Sequence, residues 1–394
     1  MKTLVVIPTL LLDCSFSAPL AWMFAKHADR VTGVYGFELT RDMVLEHEQF
    51  IIELNWFVAL HEFGLIVDFI RTHNRSAKIL FGGMYAGIRY QDIFHRYDVD
   101  YFILGDNELP IQLFVESVAP QKIPNCVGRD FANPISFTFT EEQYGHLDFD
   151  LSWFPSYFKY RTLDDQFLLP HIITTKGGCN AVHDGCGYCM GSKRQELRRL
   201  YNRPPITMTN GNLMRLLDRA QKKFKEASLY LTRAANYDFS GRRFDLDMTI
   251  EVDSHTSVDQ IASICRAFRK VFLLVSAYEE GISGSALDQK LFKRILDLED
   301  ADHRIRFYVF KKDIKTSGIP NNHIMYSEFA FPEAADWNFY VNLDNAIEFS
   351  RRFYGTCNRH FIDGVPNVAA TNPNYISQCF HFSKGYLRPS ERVP

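Results

Sequence analysis

The chain has 394 residues, too long for one ordinary domain and enough for two or three. Hydrophobic residues make up 46% and charged residues 23%, which excludes a disordered chain. A formal net charge of −3 gives no global electrostatic case for nucleic acid or a membrane surface.

The start, MKTLVVIPTLLLDCSFSAPLAW, carries one Lys and an apolar stretch broken by Pro8 and followed by Asp13. It reads as a buried strand over residues 2–8 and a loop, not as a signal peptide. No run approaches the ~18 apolar residues of a membrane span, so a cytoplasmic protein is expected. Residues 18–28 read as a helix with Pro19 in its first turn. Residues 30–39 read as a second strand; residues 50–60 are apolar without a decisive period. A helix over 65–72, a strand over 77–81 ending at Gly82–Gly83, a helix over 88–97 and a strand over 99–104 ending at Gly105 follow. This alternation predicts a doubly wound, Rossmann-like parallel sheet over residues 1–120. Ligands bind such sheets at the strand carboxyl ends, where two strands here end in glycine. Simple strand-to-helix turns explain those glycines equally well.

Residues 121–165 have turn residues and low periodicity and read as a linker over the surface. From residue 166 strand, loop and helix resume. The stretch LLPHIITT is a strand candidate, and 228–232, 248–252, 271–276, 304–310 and 323–327 are five more. Helices are expected over 212–226, 258–270 and 286–298. Six strands predict a partial (β/α)6 barrel over 166–330, with chemistry at the carboxyl ends. Residues 331–394 form an extension too short for a large substrate domain, which favours a small-molecule or peptide substrate.

Eight cysteines are present, and three of them fall in Cys179-NAVHDG-Cys186-GY-Cys189. Three thiolates on one loop can ligate three irons of a 4Fe–4S cubane and leave the fourth open. A zinc site with His183 as fourth ligand, or a redox pair at Cys186 and Cys189, would use the same residues. The zinc reading lacks a second ligand pair, and four nearby glycines (Gly177, Gly178, Gly185, Gly187) argue against unrelated cysteines.

The stretch TTKGGC…CGYC after an apolar strand resembles the radical S-adenosylmethionine (SAM) superfamily. That family usually places three residues, then two, between its cysteines; here the first gap is six. Tyr188 stands at the aromatic that packs by adenine in the family. The preceding GG-MYA, helix and DVDYFILGDNE resemble the cobalamin-binding domain fused to many such enzymes, with Asp106 where Glu is usual. The segment IPNCVGRDF resembles that family's connecting strand. The histidine motif that ligates cobalt in other cobalamin proteins is absent.

The resemblance implies a cobalamin-binding-type domain followed by a radical SAM barrel. It implies three cofactors: a 4Fe–4S cluster on Cys179, Cys186 and Cys189, S-adenosylmethionine, and cobalamin. It implies a 5′-deoxyadenosyl radical and, most commonly, methyl transfer to an unactivated carbon. Cyclisation or rearrangement without methyl transfer is the alternative, and a zinc- or cluster-bearing binding protein is a third. The SAM-binding candidates are Tyr188, Asn236, Tyr237, Glu251, Ser276 and Glu279. The cobalamin-binding candidates are Leu12, Asp13, Gly82, Gly83, Gly105, Asp106 and Glu108. An electron donor such as flavodoxin or ferredoxin is the expected partner. The basic run SKRQELRRLYNRPP reads as a solvated helix face, or as a site for an anionic substrate or that donor.

Overall fold

The computed structural model describes residues 1–8, 18–54, 60–156, 171–178, 194–223, 228–231, 233–253, 256–277, 289–309 and 324–326. Two six-stranded sheets dominate it.

The first sheet is built from β1 (Thr3–Ile7), β2 (Val31–Tyr35), β3 (Gln49–Glu53), β4 (Lys78–Gly82), β5 (Tyr101–Ile103) and β6 (Cys126–Gly128). Their order is β2-β1-β3-β4-β5-β6, parallel throughout except for the antiparallel edge strand β6. The helices are α1 (Ala18–Lys26), α2 (Arg41–Glu46), α3 (Leu60–His73), α4 (Met84–Arg96) and α5 (Glu108–Val115). They cover both faces, which is why the strands read as continuous apolar runs. Leu4, Val6, Phe50, Ile52, Ile79 and Phe81 face a core shared with α3 and α4. The alternate residues Val5, Ile7, Ile51 and Leu80 face a second core, shared with α1 and α5. Of the uncertain stretch 50–60, residues 50–53 belong to β3 and Leu60 begins α3, while residues 55–59 lie outside the described residues. Thr40 starts α2, its hydroxyl accepting the Met43 N–H at 3.2 Å.

The second sheet takes β7 (His171–Ile172), β10 (Ser228–Leu231), β11 (Phe244–Asp253), β12 (Phe268–Ala277), β13 (His303–Val309) and β14 (Ile324–Tyr326). All neighbours are parallel and lie in chain order. That is the order a partial barrel requires. A two-stranded ladder, β8 (Thr175–Lys176) with β9 (Ile206–Thr207), stands apart. The remaining helices are α6 (Arg194–Tyr201), α7 (Asn210–Lys223), α8 (Val258–Ala267) and α9 (Gln289–Leu296). A Ser257–Gln260 capping box starts α8. This helix ends at Ala267, short of the expected 270, because Phe268 already begins β12.

One expectation is corrected. Within the expected linker 121–165, the described part, residues 121–156, is not draped over the surface. Phe139, Tyr144, Leu147, Phe149, Leu151, Trp153 and Phe154 are buried in the core that joins the two sheets. Trp153 packs on Phe24 at 4.7 Å between ring centroids, and Phe154 on Tyr35 at 4.9 Å. The Trp153 carbonyl accepts the Gly33 N–H at 2.8 Å, so this segment closes the β2 edge. A side chain at Gly33 would stand 2.5 Å from the Trp153 ring.

Candidate functional site

In the first sheet the winding reverses between β1 and β3, and a ligand crevice is expected outside the carboxyl ends at that switch. Strand β1 leads from Pro8 toward Leu12 and Asp13, which lie outside the described residues. Nearby, β4 ends at Gly82, where a Cβ would meet nothing within 4 Å. Gly83 follows with φ 120° and starts α4. Among the described residues, then, no atom crowds the point where a Gly82 side chain would stand.

The end of β5 is different. Gly105 has φ +70°, and a Cβ there would lie 2.8 Å from the Leu200 carbonyl oxygen and 3.2 Å from the Tyr201 Cα. Only glycine fits, because α6 rests on this turn. The next residue, Asp106, is fully buried, and all its partners belong to the chain itself. Its Oδ2 accepts the Phe139 N–H at 2.9 Å and Arg203 Nε at 2.9 Å; its Oδ1 accepts Arg203 Nη2 at 2.7 Å. This is a bidentate fork, the strongest geometry an arginine–carboxylate pair can adopt. Lys176 Nζ stands 3.4 Å from Asp106 Oδ1 and also donates to Glu108 Oε1. The Lys176 ammonium lies 4.7 Å from the Phe139 ring centroid. Two cations and two carboxylates thus share one largely buried junction between the sheets. Burial pulls the Lys176 ammonium down to about 8, opposed by the Asp106 carboxylate. Burial likewise pushes the neighbouring Tyr201 phenol up to about 12.

Lys176 and Arg203 bracket residues 177–202, the segment that contains the cysteine triplet. Gly177 (φ +80°) and Gly178 (φ +129°) lead out of β8 toward Cys179. Cys179, Cys186, Cys189, Tyr188 and His183 themselves lie outside the described residues. Among the described residues no group of three or more His, Cys, Asp or Glu side chains could hold a metal ion. Cys126 and Cys265 are buried, and burial raises both thiols to about 12, leaving them inert.

In the second sheet the register places Ile172, Leu231, Ile250, Leu273 and Ile305 side by side. Glu251 lies one position beyond that row, and Ser276 is paired with Asp253 at the carboxyl end. Asn236 is exposed in the turn after β10. Tyr237 is buried, and its hydroxyl donates to the Met208 carbonyl at 3.2 Å. Glu279 lies outside the described residues. The chain passes from the carboxyl end of β7 through β8 to Gly177 and Gly178, which precede the cysteines.

The junction is what sequence reasoning missed. Its signal was present as two acidic residues in GDNE and two basic ones flanking the cysteines, but the pairs are 68 and 97 residues apart. On the basic run, Arg198 and Arg199 are exposed while Leu197 and Leu200 are buried against the α4 side, the pattern of an amphipathic surface helix.

No protein-family model matches the chain, and no curated protein does. Solved structures do. The cobalamin-dependent S-adenosylmethionine radical enzyme OxsB, solved with aqua-cobalamin and S-adenosylmethionine bound, aligns with TM-score 0.51 at 10% identity over 90% of this chain. The fold is that of OxsB. This chain spans only 58% of the OxsB length. The radical S-adenosylmethionine methyltransferase TsrM from Kitasatospora setae, with tryptophan substrate and a SAM analogue bound, aligns with TM-score 0.48 at 12% identity, covering 79% of this chain and 67% of that one. A doubly wound sheet followed by a sequential parallel sheet is therefore an arrangement shared with a known radical enzyme. No helix among the described residues is long and apolar enough to cross a membrane.

Proposed function

We propose that the chain is a cobalamin-dependent radical SAM enzyme that methylates an unactivated carbon of a small molecule or peptide. One observation carries this reading: Lys176 and Arg203, which flank the segment containing Cys179, Cys186 and Cys189, both pair with Asp106 at the carboxyl end of the doubly wound sheet. The donor set fits the cofactor, since three thiolates hold a cubane with one open iron. The uncrowded point at Gly82 fits a large planar group approaching the backbone. When bound, the cluster supplies an electron for cleavage of S-adenosylmethionine and the corrinoid supplies methyl-group chemistry. OxsB, solved with aqua-cobalamin and S-adenosylmethionine bound, supports the pairing of the two cofactors.

The tasks of this chain are binding, orientation and exclusion of water. Tyr188 is assigned to the adenine, and Asn236, Tyr237, Glu251, Ser276 and Glu279 to the methionine and ribose. Leu12, Asp13, Gly82 and Gly83 are assigned to the corrinoid edge, while Gly105, Asp106 and Glu108 support the junction behind it. A flavodoxin- or ferredoxin-type donor would supply the electron. Radical cyclisation or rearrangement is the second reading, favoured because OxsB is described as a radical enzyme and not as a methyltransferase.

Anaerobic reconstitution tests the proposal. Bound corrinoid in the visible spectrum, with both 5′-deoxyadenosine and S-adenosylhomocysteine formed, is the expected result. 5′-Deoxyadenosine without S-adenosylhomocysteine would remove methyl transfer, and neither product would remove the radical reading.

A further inference from the structure

We infer that Asp106 is a positioning residue that clasps both ends of the cysteine segment, so that the first sheet sets the geometry of the loop assigned to the cluster. This deepens the function proposed above and rests on it only for what the loop holds. The contact set is unusual for a bridge between two domains. A generic bridge joins two surfaces at unrelated places. Here one buried carboxylate receives Lys176, three residues before Cys179, and Arg203, fourteen residues after Cys189. Arg203 closes the ring further, donating from Nη1 to the Lys176 carbonyl at 3.4 Å. Entrance and exit of the segment are thereby fixed to one another as well as to β5.

The surrounding residues serve the same geometry. Gly105 lets the last turn of α6 rest on the β5 turn, at contacts no side chain would permit. The Asp106 carbonyl accepts Asn125 Nδ2 at 3.0 Å, and Asn125 Oδ1 accepts the Ser136 and Phe137 N–H groups, tying the carboxylate's backbone to the segment 136–154 whose aromatics wedge between the sheets. Three buried charges and the part-buried Arg203 cost desolvation that apolar packing would not, so the gain lies in a defined arrangement. Asp106 sits at the carboxyl edge of the first sheet, where a ligand of that sheet would be held. The clasp therefore links that edge mechanically to the cysteine loop.

The test uses the full chain without metal, under anaerobic conditions, with iodoacetamide as probe and mass spectrometry to read each cysteine. Asp106→Asn keeps the shape and removes the charge; Arg203→Gln removes the fork; Arg203→Lys keeps a cation. Cys179, Cys186 and Cys189 should alkylate several-fold faster in Asp106→Asn and Arg203→Gln than in wild type, with Arg203→Lys between. The buried Cys126 and Cys265 should stay unmodified, reporting an intact fold. Unchanged rates at the three loop cysteines in both variants, with Cys126 and Cys265 protected, would overturn the clasp. If Asp106→Asn exposes Cys126 and Cys265, the Arg203 pair decides the question alone: Lys must slow the loop cysteines relative to Gln. A wild-type chain that takes up no iron and sulfide would end the cluster reading while leaving this result standing.

Discussion

The two sheets have the same number of strands and opposite ways of making a site. In the first, the order β2-β1-β3 reverses the winding, and the reversal itself opens a crevice at the carboxyl ends. Among the described residues, β4 there ends in Gly82 and Gly83. In the second, every strand lies beside its predecessor, so no reversal opens a crevice. Its chemistry must arrive on a loop leaving the edge, and a long loop needs outside support. That support comes from the first sheet, through Asp106 and Glu108 on one side and Lys176 and Arg203 on the other. One sheet has its winding reversal, and its β5 end binds Lys176 and Arg203, the two residues that flank the cysteine segment following the other's first strand.

The largest way to break this pairing is Trp153→Ala. Trp153 is 1% exposed and lies in the core shared by both sheets. Truncation should cost about 3–5 kcal/mol. Urea unfolding should show the loss, together with separation of one transition into two if the halves are coupled mainly through this wedge. A loss below about 1 kcal/mol would mean that the sheets stand independently. Next in size is Gly105→Ala, which must place a Cβ 2.8 Å from a backbone oxygen at φ +70°. A loss of about 1–3 kcal/mol is expected. The same measurement on Gly82→Ala should show a much smaller change, since space there is open.

The smallest effect is a pH dependence. The Lys176 ammonium titrates at about 8 when folded, below the ordinary 10.5. Between those values the unfolded chain holds a proton that the folded chain has released, so stability rises with pH across that window. Below about 8 both states are protonated and the cost of the buried charge is fully present. Relative to Lys176→Met, wild type should gain about 1 kcal/mol per pH unit there. Parallel thermal unfolding curves from pH 8 to 10 for the two proteins would contradict the buried junction.

Much of this architecture is legible in the amino-acid order. Strands buried on both faces read as unbroken apolar runs, as in TLVVI and KILFG. Where polar residues are paired along a strand the reading falls short. The strands β11 and β12 begin earlier than expected because Arg269 donates to Asp247 at 2.7 Å and to Asp245 at 2.9 Å. Helix α2 is only six residues long and buries Val44 alone, so it shows no period. Helix α5 carries Pro110 near its start, which obscures it in the sequence. The wedge was misread because its aromatics follow no helical or strand spacing; they fill a gap between sheets that only the assembled fold creates. The junction charges were visible singly and meaningless until long-range folding paired them. The cysteines are the reverse case: three fall within eleven residues, so their reading needs no long-range pairing, and they lie outside the described residues.

Iron and acid-labile sulfide counted after anaerobic reconstitution, in wild type and in Cys186→Ala, test the central claim most directly. About four of each per wild-type chain, lost in the variant, is the expected result. One zinc and no sulfide in the wild type would contradict it.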